Sequence, residues 1–191
     1  MNDGPIIEAF KEVMQPGSDL TASDWMKKHV KVIDSPRGAT YDINQTPWFI
    51  EPLEAFQDNA LDEIVILAPI GSGKTAFYEA LIQWIIKEDP GSTLLALQTN
   101  DDAKELWEER LKKSIELCIP LKPLLPSNRH FTRKTGIIFP HMVLNVGGAN
   151  MSNLQSKSRR FVIGDECWIW KSGMIEEARG RTHDRWNARI L

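Results

Sequence analysis

The sequence predicts an α/β fold in which a mainly parallel sheet lies between two layers of helices. Short apolar runs at residues 64–68, 93–98 and 161–163 are typical of buried strands. Apolar residues with helical spacing follow the first two runs, over residues 75–89 and 101–117. Because strands alternate with helices, we expect βαβ units, with ligands bound at the carboxyl ends of the strands.

Two shorter helices are expected before the first strand. Ser23 is a suitable N-cap for a helix from residue 24 to about residue 30. Thr46 followed by Pro47 indicates a second helix start, because proline is favoured at the first helical position. Four tryptophans lie at helical positions suited to core packing: Trp25, Trp48, Trp84 and Trp107.

The second half of the sequence predicts further short elements. Thr99 or Asn100 is expected to cap the helix over residues 101–117. Two short strands are expected at residues 130–139 and 142–146, and a flexible loop at residues 147–150. A helix from about Met174 and the opening of a further strand at residues 188–191 complete the pattern.

Composition narrows the class of protein. A chain of 191 residues suits one domain, which we divide into a lead-in at residues 1–39 and a main domain at residues 40–191. The net charge of −3 excludes a uniformly basic nucleic-acid coat but not a local basic patch. Cys118 and Cys167 show no metal-ligand spacing and cannot build a disulfide framework. Without a signal peptide or an apolar stretch of membrane-spanning length, we expect a cytoplasmic protein and no membrane partner.

The segment Ala68-Pro69-Ile70-Gly71-Ser72-Gly73-Lys74-Thr75 has the form of a phosphate-binding loop (Walker A) between a strand and a helix. Its glycines let backbone N–H groups curl around phosphate oxygens at a helix N-terminus. Lys74 would reach the β- and γ-phosphates of ATP, and the Thr75 hydroxyl would ligate Mg²⁺. Ala68 stands where the usual pattern has its first glycine. The candidate phosphate-binding residues are Gly71, Ser72, Gly73, Lys74 and Thr75.

The segment Phe161-Val162-Ile163-Gly164-Asp165-Glu166 has the form of a Walker B motif, an apolar strand that ends in two carboxylates. Asp165 would hold Mg²⁺, directly or through water, and Glu166 would polarise an attacking water. An aspartate followed by glutamate favours hydrolysis over phosphorylation of a small molecule. Gly164 replaces the usual bulky residue and weakens the strand slightly. Read alone, the pair is equally well explained as a strand running into a solvated turn.

Other residues support two interpretations each. Gln45 offers an amide donor and acceptor to an adenine edge, or it is a polar loop residue before a helix. Arginines and a lysine around the second motif could contact a phosphate or DNA, or form a solvated face: Lys157, Arg159, Arg160, Arg179, Arg181, Arg185 and Arg189. Trp168 and Trp170 are candidates to brace the carboxylates, and Cys167 is expected to be a small buried filler.

The order of these motifs resembles a known family. A Gln-Thr-Pro-Trp element is followed by APIGSGKT, by LLALQTNDDAKELWEERL, and by a Gly-Gly-Ala-Asn loop. A basic run, FVIGDE and the tail EEARGRTHDRWNARIL come next. Over residues 40–191 this order is similar to the N-terminal ATPase domain of tailed-phage terminase large subunits, the GpA-like group in particular.

The resemblance implies a three-layer αβα P-loop NTPase of the additional-strand, catalytic-glutamate type. It implies an ATPase that drives double-stranded DNA into a procapsid, as a homo-oligomer, with a terminase small subunit and a portal as partners. Lys74 and Thr75 match the Walker A residues, Asp165 and Glu166 the Walker B aspartate and the catalytic glutamate. Gln45 matches the adenine-recognition element.

The sequence departs from the family in two respects. Many terminases carry an arginine in the phosphate loop, and this loop does not. The family's coupling motif and metal-dependent nuclease are absent from the sequence, and residues 190–191 match only the start of the strand that the fold inserts between the two motif strands. We therefore expect a partial domain with weak or no ATPase activity by itself. The alternatives are a superfamily 2-like helicase or translocase, and a nucleotide-binding regulatory module that does not hydrolyse ATP.

Overall fold

The computed structural model describes residues 18–33, 39–155, 158–182 and 189–191. Its strands are β1 Thr93–Leu97, β2 Thr132–Arg133, β3 Gly136–Ile138, β4 Val143–Gly148, β5 Phe161–Gly164 and β6 Arg189–Ile190. They form one sheet in the order β2-β3-β4-β1-β5-β6. The pairs β1–β4, β1–β5 and β5–β6 are parallel, whereas β2–β3 and β3–β4 are antiparallel. The predicted mixed α/β fold with a mostly parallel sheet is therefore confirmed.

The helices are α1 Ala22–His29, α2 Ile50–Gln57, α3 Lys74–Glu88, α4 Asn100–Leu106, α5 Lys112–Leu117, α6 Met151–Gln155 and α7 Met174–Thr182. A π-helical turn, Trp107–Leu111, joins α4 to α5, so the chain stays helical to Leu117 as predicted. Short 3₁₀ turns lie at Ile43–Gln45, Pro47–Phe49, Ile119–Leu124, Arg129–Phe131 and Cys167–Ile169. Within the part of the chain that the structure describes, no helix is long and apolar enough to cross a membrane.

The sheet separates two hydrophobic clusters, because successive strand residues point to opposite faces. On one face Leu95 and Ile163 belong to the large core, together with side chains from α1 to α5. On the other face Leu94 and Val162 pack with Leu154 of α6 and with two side chains of α7. Helices therefore cover both faces, which gives the three layers that the sequence predicts.

Helix α3 carries the apolar face expected from its sequence. Phe77, Leu81 and Ile85 are all buried in the large core. Trp25 and Trp107 are buried there too, and Trp84 is partly buried against it. The prediction was wrong for Trp48, which is 54% exposed because it lies on a 3₁₀ turn before α2 rather than inside the helix.

Two helix starts can be compared with their predicted caps. Helix α1 begins one residue before the predicted cap Ser23, and Thr21 is its N-cap, with its side chain accepting a hydrogen bond from the Asp24 N–H. Thr99, one of the two predicted candidates, caps α4 in a capping box with Asp102. The sequence did not distinguish Ser23 from Thr21, because both side chains carry a hydroxyl that can act as an N-cap.

The predicted strand at residues 64–68 is extended but is not a strand of the sheet. It joins the sheet only through a parallel bridge between Glu63 and Ile190 and a hydrogen bond from the Ile64 N–H to the Ile190 carbonyl. A strand needs a neighbour along its length, and β6 supplies one only at this point among the described residues. Val65 and Leu67 are consequently 73% and 95% exposed. Segment β6 lies between β5 and this segment, as the resemblance implied.

The predicted loop at residues 147–150 and the predicted strand at residues 130–139 both need correction. Gly147 and Gly148 belong to β4, since they pair in register with Ala96 and Leu97 of β1. A Cβ at Gly148 would lie 2.7 Å from the backbone of the Thr99–Asn100 peptide, so close approach explains this glycine. Residues 130–139 are divided into a 3₁₀ turn, β2 and β3 by a tight turn at residues 134–135.

Candidate nucleotide-binding site

The predicted phosphate loop turns directly into helix α3. Gly71 and Gly73 have φ angles of +78° and +91°, a region that favours glycine. Gly73 is the N-cap of α3, without a side-chain hydrogen bond to the first turn. A loop of this shape leaves backbone N–H groups at the positive end of the helix dipole for an anionic ligand.

Two polar side chains of the loop suit a phosphate ligand. The Lys74 ammonium donates hydrogen bonds to the carbonyls of Ala68, at 3.1 Å, and Pro69, at 3.3 Å. Ser72 is 9% exposed, and its hydroxyl is one of the buried side-chain groups left without a partner within the described ranges. A buried hydroxyl without a partner costs about 1–3 kcal/mol, which a bound anion would offset.

Two residues of the Gln-Thr-Pro-Trp element, Thr46 and Trp48, lie against this loop. The Trp48 indole N–H donates to the Ser72 carbonyl at 3.1 Å. The Thr46 methyl group is 3.1 Å from the position that a Cβ at Gly73 would take. Just after the element, the Phe49 ring stacks on the Phe77 ring of α3 at 4.6 Å. Gln45 is exposed just before these contacts, at the end of its own 3₁₀ turn.

Asp165 follows β5 and is held by three hydrogen bonds. Its N–H donates to the Ala96 carbonyl at 2.9 Å, and its carbonyl accepts from the Trp170 indole at 3.1 Å. The Tyr78 hydroxyl of α3 donates to Asp165 Oδ2 at 3.2 Å. The two predicted motifs therefore meet at one edge of the sheet, through a residue that neither motif contains.

Glu166 has a backbone conformation that is unusual for its residue type. Its φ angle of +50° is the only positive value at a non-glycine residue among those the structure describes. The side chain is exposed at the same edge of the sheet as Asp165. Such a conformation costs on the order of 1 kcal/mol and is found preferentially at functional sites.

Burial and charge act on the ionisable groups of this site. Burial raises the pKa of Asp165 and the Glu166 charge raises it further, whereas the Tyr78 hydrogen bond and the Lys74 charge oppose this. Burial and the Asp165 charge raise the pKa of Tyr78, so its hydroxyl stays protonated as the donor. Burial raises the pKa of the Cys167 thiol to about 11, which fits the predicted filler rather than a nucleophile.

Gly164 is required by close packing. A Cβ at this position would lie 2.4 Å from Cys167 Sγ and 2.8 Å from the Trp170 ring. Of the two tryptophans expected to brace the carboxylates, Trp170 does so through the Asp165 carbonyl, whereas Trp168 is 83% exposed. The absence of a side chain at Gly164 lets the chain fold back beneath Asp165.

Most of the predicted basic residues have partners within the chain. Arg160 pairs with Asp89 at 2.6 Å, and Arg179 with Glu63 at 2.8 Å. Arg181 pairs with Glu177, and Arg159 and Arg189 are buried at 4% and 1% exposure. Lys157 and Arg185 lie outside the described residues. Among the residues that the structure describes, these arginines are thus engaged within the chain and do not form a free basic track.

The site suits a magnesium nucleotide, judged by its own side chains. It combines the Asp165 carboxylate and the Thr75 hydroxyl with the glycine N–H groups of the loop. It also has the buried Ser72 hydroxyl, which has no hydrogen-bond partner within the described ranges. No group of three or more histidine, cysteine or acidic side chains that could hold a metal ion occurs in the described ranges. Mg²⁺ needs no such group, because it binds through one or two carboxylates and the phosphates of its nucleotide.

Sequence reasoning missed Tyr78, Thr46 and Trp48 as site residues. Tyr78 is three residues after Thr75, which places both on one face of α3, so helical spacing was an available signal. Thr46 and Trp48 had no such signal, because their contacts join segments about 25 residues apart.

Comparisons with known proteins identify the family and the fold of the chain. The model of the family described as phage terminase large subunit gpA, ATPase domain, matches residues 35–181. The fold is similar to the large terminase of bacteriophage HK97, with a TM-score of 0.69 and 13% identity over 88% of this chain. It is also similar to the UvsW helicase of bacteriophage T4, with a TM-score of 0.57 and 11% identity over 99% of this chain and 68% of that one. The chain spans 36% of the HK97 protein, and a search of curated proteins finds no match.

Proposed function

This chain belongs to the ATPase-domain family of the phage terminase large subunit gpA, and from this premise we propose that it is an ATP-hydrolysing motor domain of a DNA-packaging terminase. One observation carries the proposal. Helix α3 starts at the phosphate loop, and its Tyr78 reaches Asp165, so that both predicted motifs lie at one sheet edge. Ligands of parallel α/β sheets bind at this edge.

The residues proposed to bind ATP come from the loop and from the element that supports it. Backbone N–H groups from Gly71 to Lys74 would receive the phosphates, with the Ser72 hydroxyl as a further donor. Lys74 would exchange its two loop carbonyls for phosphate oxygens. Gln45, exposed beside the loop, is proposed to contact the adenine.

Thr75 and Asp165 are proposed as the residues that hold Mg²⁺. When bound, this ion would neutralise charge on the phosphate oxygens. Glu166 is proposed to orient and deprotonate the attacking water, because it is exposed next to Asp165 and has a positive φ angle of the kind found at functional sites. The packing of Gly164 against Cys167 and Trp170, with the Trp170 hydrogen bond to the Asp165 carbonyl, would hold the backbone of this turn.

The remaining parts of the proposal concern partners and organisation. We propose double-stranded DNA as the substrate that is moved, a small subunit and a portal as partners, and a homo-oligomer in the host cytoplasm. Family membership is their support, and the chain spans about a third of the HK97 terminase. Residues 1–39 are proposed as a lead-in to the ATPase domain at residues 40–191. Helix α1 in that lead-in buries Trp25 in the same core as α3.

ATP binding tests the loop assignment. Lys74→Ala should weaken the affinity for a fluorescent ATP analogue at least about tenfold, because it removes a charge-assisted contact to phosphate. Lys104→Ala, which removes an exposed lysine of α4, is the matched control and should bind as the wild type does. Unchanged affinity in Lys74→Ala would refute the assignment.

Single-turnover hydrolysis by the full-length gene product, with Mg²⁺ and saturating DNA, tests the motor. The wild type should hydrolyse ATP at least about 10²-fold faster than Glu166→Gln, since a positioned general base contributes roughly this much. Equal rates would favour the non-hydrolysing regulatory module. ATP-dependent strand separation of a duplex would instead favour the helicase, whose fold this chain shares.

A further inference from the structure

We propose that Tyr78 is a positioning residue, which orients the Asp165 carboxylate for the divalent cation that accompanies ATP. The inference rests on the proposed function and deepens it. Neither sequence motif contains Tyr78, although it is the side chain that joins them. Its assigned role is to act on Asp165 and not to touch the nucleotide itself.

The position of Tyr78 on α3 fits this role. It is four residues after Lys74 and three after Thr75, so it lies on the same face of the helix as these two residues. Its side chain is 5% exposed, and its hydroxyl donates to Asp165 Oδ2 at 3.2 Å. A buried tyrosine needs a partner for its hydroxyl, and here the partner is the carboxylate of the second motif.

The backbone of Asp165 is fixed without help from Tyr78. Its N–H bonds to Ala96 of the neighbouring strand, and its carbonyl is bonded by Trp170. What these two bonds leave open is the rotation of the carboxylate about its side-chain torsions. The Tyr78 hydroxyl limits that rotation, and because it sits on α3 it fixes the carboxylate relative to Thr75.

Removal of the hydroxyl alone separates this role from simple packing. Tyr78→Phe keeps the buried ring, so a packing role predicts a normal site. A positioning role predicts that only the cation-dependent part of ATP binding suffers, because the Lys74 ammonium is held by the loop carbonyls and makes no hydrogen bond to Asp165 within the described residues. Tyr41, the other tyrosine of the chain, is also buried, at 4% exposure, and its hydroxyl lies 3.5 Å from Thr46 Oγ1. Tyr41→Phe is therefore the control for losing a buried tyrosine hydroxyl that is bonded to a residue other than Asp165.

The test compares ATP affinity in EDTA with ATP affinity in Mg²⁺. In EDTA, Tyr78→Phe should bind ATP as the wild type does. In Mg²⁺ it should lose about tenfold of the cation-dependent gain, as expected for a hydrogen bond to a charged group. Tyr41→Phe should keep the full gain. Mn²⁺ in place of Mg²⁺ gives a second readout, because the electron paramagnetic resonance spectrum of the bound ion reports its ligands without any turnover.

A double-mutant cycle tests whether Tyr78 acts through Asp165. In an Asp165→Asn background the cation-dependent gain should already be small, and adding Tyr78→Phe should reduce it no further. An equal gain in Tyr78→Phe and the wild type would overturn the inference, and so would a larger gain, which would show that the hydroxyl competes with the cation. A wild type that binds no ATP in either condition would refute the proposed function itself.

Discussion

Replacing Gly164 with alanine would force a side chain into the turn that carries both proposed catalytic carboxylates. The new Cβ would lie 2.4 Å from Cys167 Sγ and 2.8 Å from the Trp170 ring. Favourable contacts between such atoms are about 3.5–4.0 Å long, so each overlap is on the order of 1 Å. One of the three residues must move.

The expected cost follows from two opposing effects. Overpacking of a close-packed interior typically costs about 1–3 kcal/mol. Replacing glycine by alanine in a strand returns about 0.5–1 kcal/mol through the reduced freedom of the unfolded chain. Because both overlaps are severe, the cost should lie in the upper part of that range, about 2–3 kcal/mol, so Gly164→Ala should lower the free energy of unfolding by about 1–2.5 kcal/mol. This loss is small beside the roughly 5–15 kcal/mol of a typical domain, so the variant should remain folded.

Function should respond more strongly than stability. A shift of Trp170 would disturb its hydrogen bond to the Asp165 carbonyl, and a misplacement of about 1 Å in a catalytic site can cost about 10²-fold in rate. Urea unfolding would measure the stability, and single-turnover hydrolysis would measure the effect on the carboxylates. ATP affinity in EDTA should stay unchanged, because the phosphate loop is not part of this contact.

Two further variants test whether close packing is the reason that residue 164 is glycine. Cys167→Ala removes the sulfur that the new Cβ would meet, so it should recover part of the loss, with a coupling energy of about 0.5–3 kcal/mol. Gly180→Ala is the control, because a Cβ at that helical position meets no atom within 4 Å, and it should stabilise the protein by about 0.5–1 kcal/mol. If Gly164→Ala unfolds like the wild type, or if Cys167→Ala does not rescue it, the close-packing explanation is wrong.

Two further predictions concern the carboxylates. Glu166→Gly should abolish hydrolysis yet raise the free energy of unfolding by up to about 1 kcal/mol, since it relieves a positive φ angle. The control is Glu105→Gly, at an exposed position of α4, which should lower the free energy of unfolding by about 1 kcal/mol. If both variants lose the same free energy of unfolding, the backbone of Glu166 is not strained. Because burial raises the pKa of Asp165 above its ordinary 3.8, the folded protein holds this proton more tightly than the unfolded chain does. The wild type should therefore lose stability as the pH rises from 3.8 through the raised pKa. Asp165→Asn should flatten this slope in urea unfolding, and an unchanged slope would assign it to another group.

The elements predicted best were those whose signal is local. Helix α3 and strand β1 lie where periodicity placed them, because each buries a face that can be read from consecutive residues. The apolar run at residues 64–68 has the same local signal as β1. It differs in having a strand neighbour at one point only among the described residues, and a neighbour is a property of the fold.

The same distinction explains which site residues the sequence could supply. Lys74, Asp165 and Glu166 were predicted because their chemistry requires a fixed spacing from a glycine turn or from a strand end. Trp48 and Tyr78 contact segments 24 and 87 residues away. Helical spacing places Tyr78 on the same face of α3 as Thr75, but no spacing rule identifies the distant partner of either residue. Residues proposed to perform chemistry can thus be read from a motif, whereas the contacts that would hold them in place depend on the folded structure.

The two departures from the usual motifs have different physical grounds. Ala68 replaces a glycine but has no positive φ angle, and its carbonyl, which any residue supplies, is what Lys74 contacts. Gly164 replaces a bulky residue, and here the missing side chain matters, because Cys167 and Trp170 occupy its space. Alanine in place of glycine at residue 68 should therefore have little effect, because only its backbone carbonyl is used. Glycine is needed at residue 164, because neighbouring side chains fill the space that a Cβ would take. The Walker B turn should therefore tolerate substitution at Gly164 far less than the phosphate loop does at Ala68.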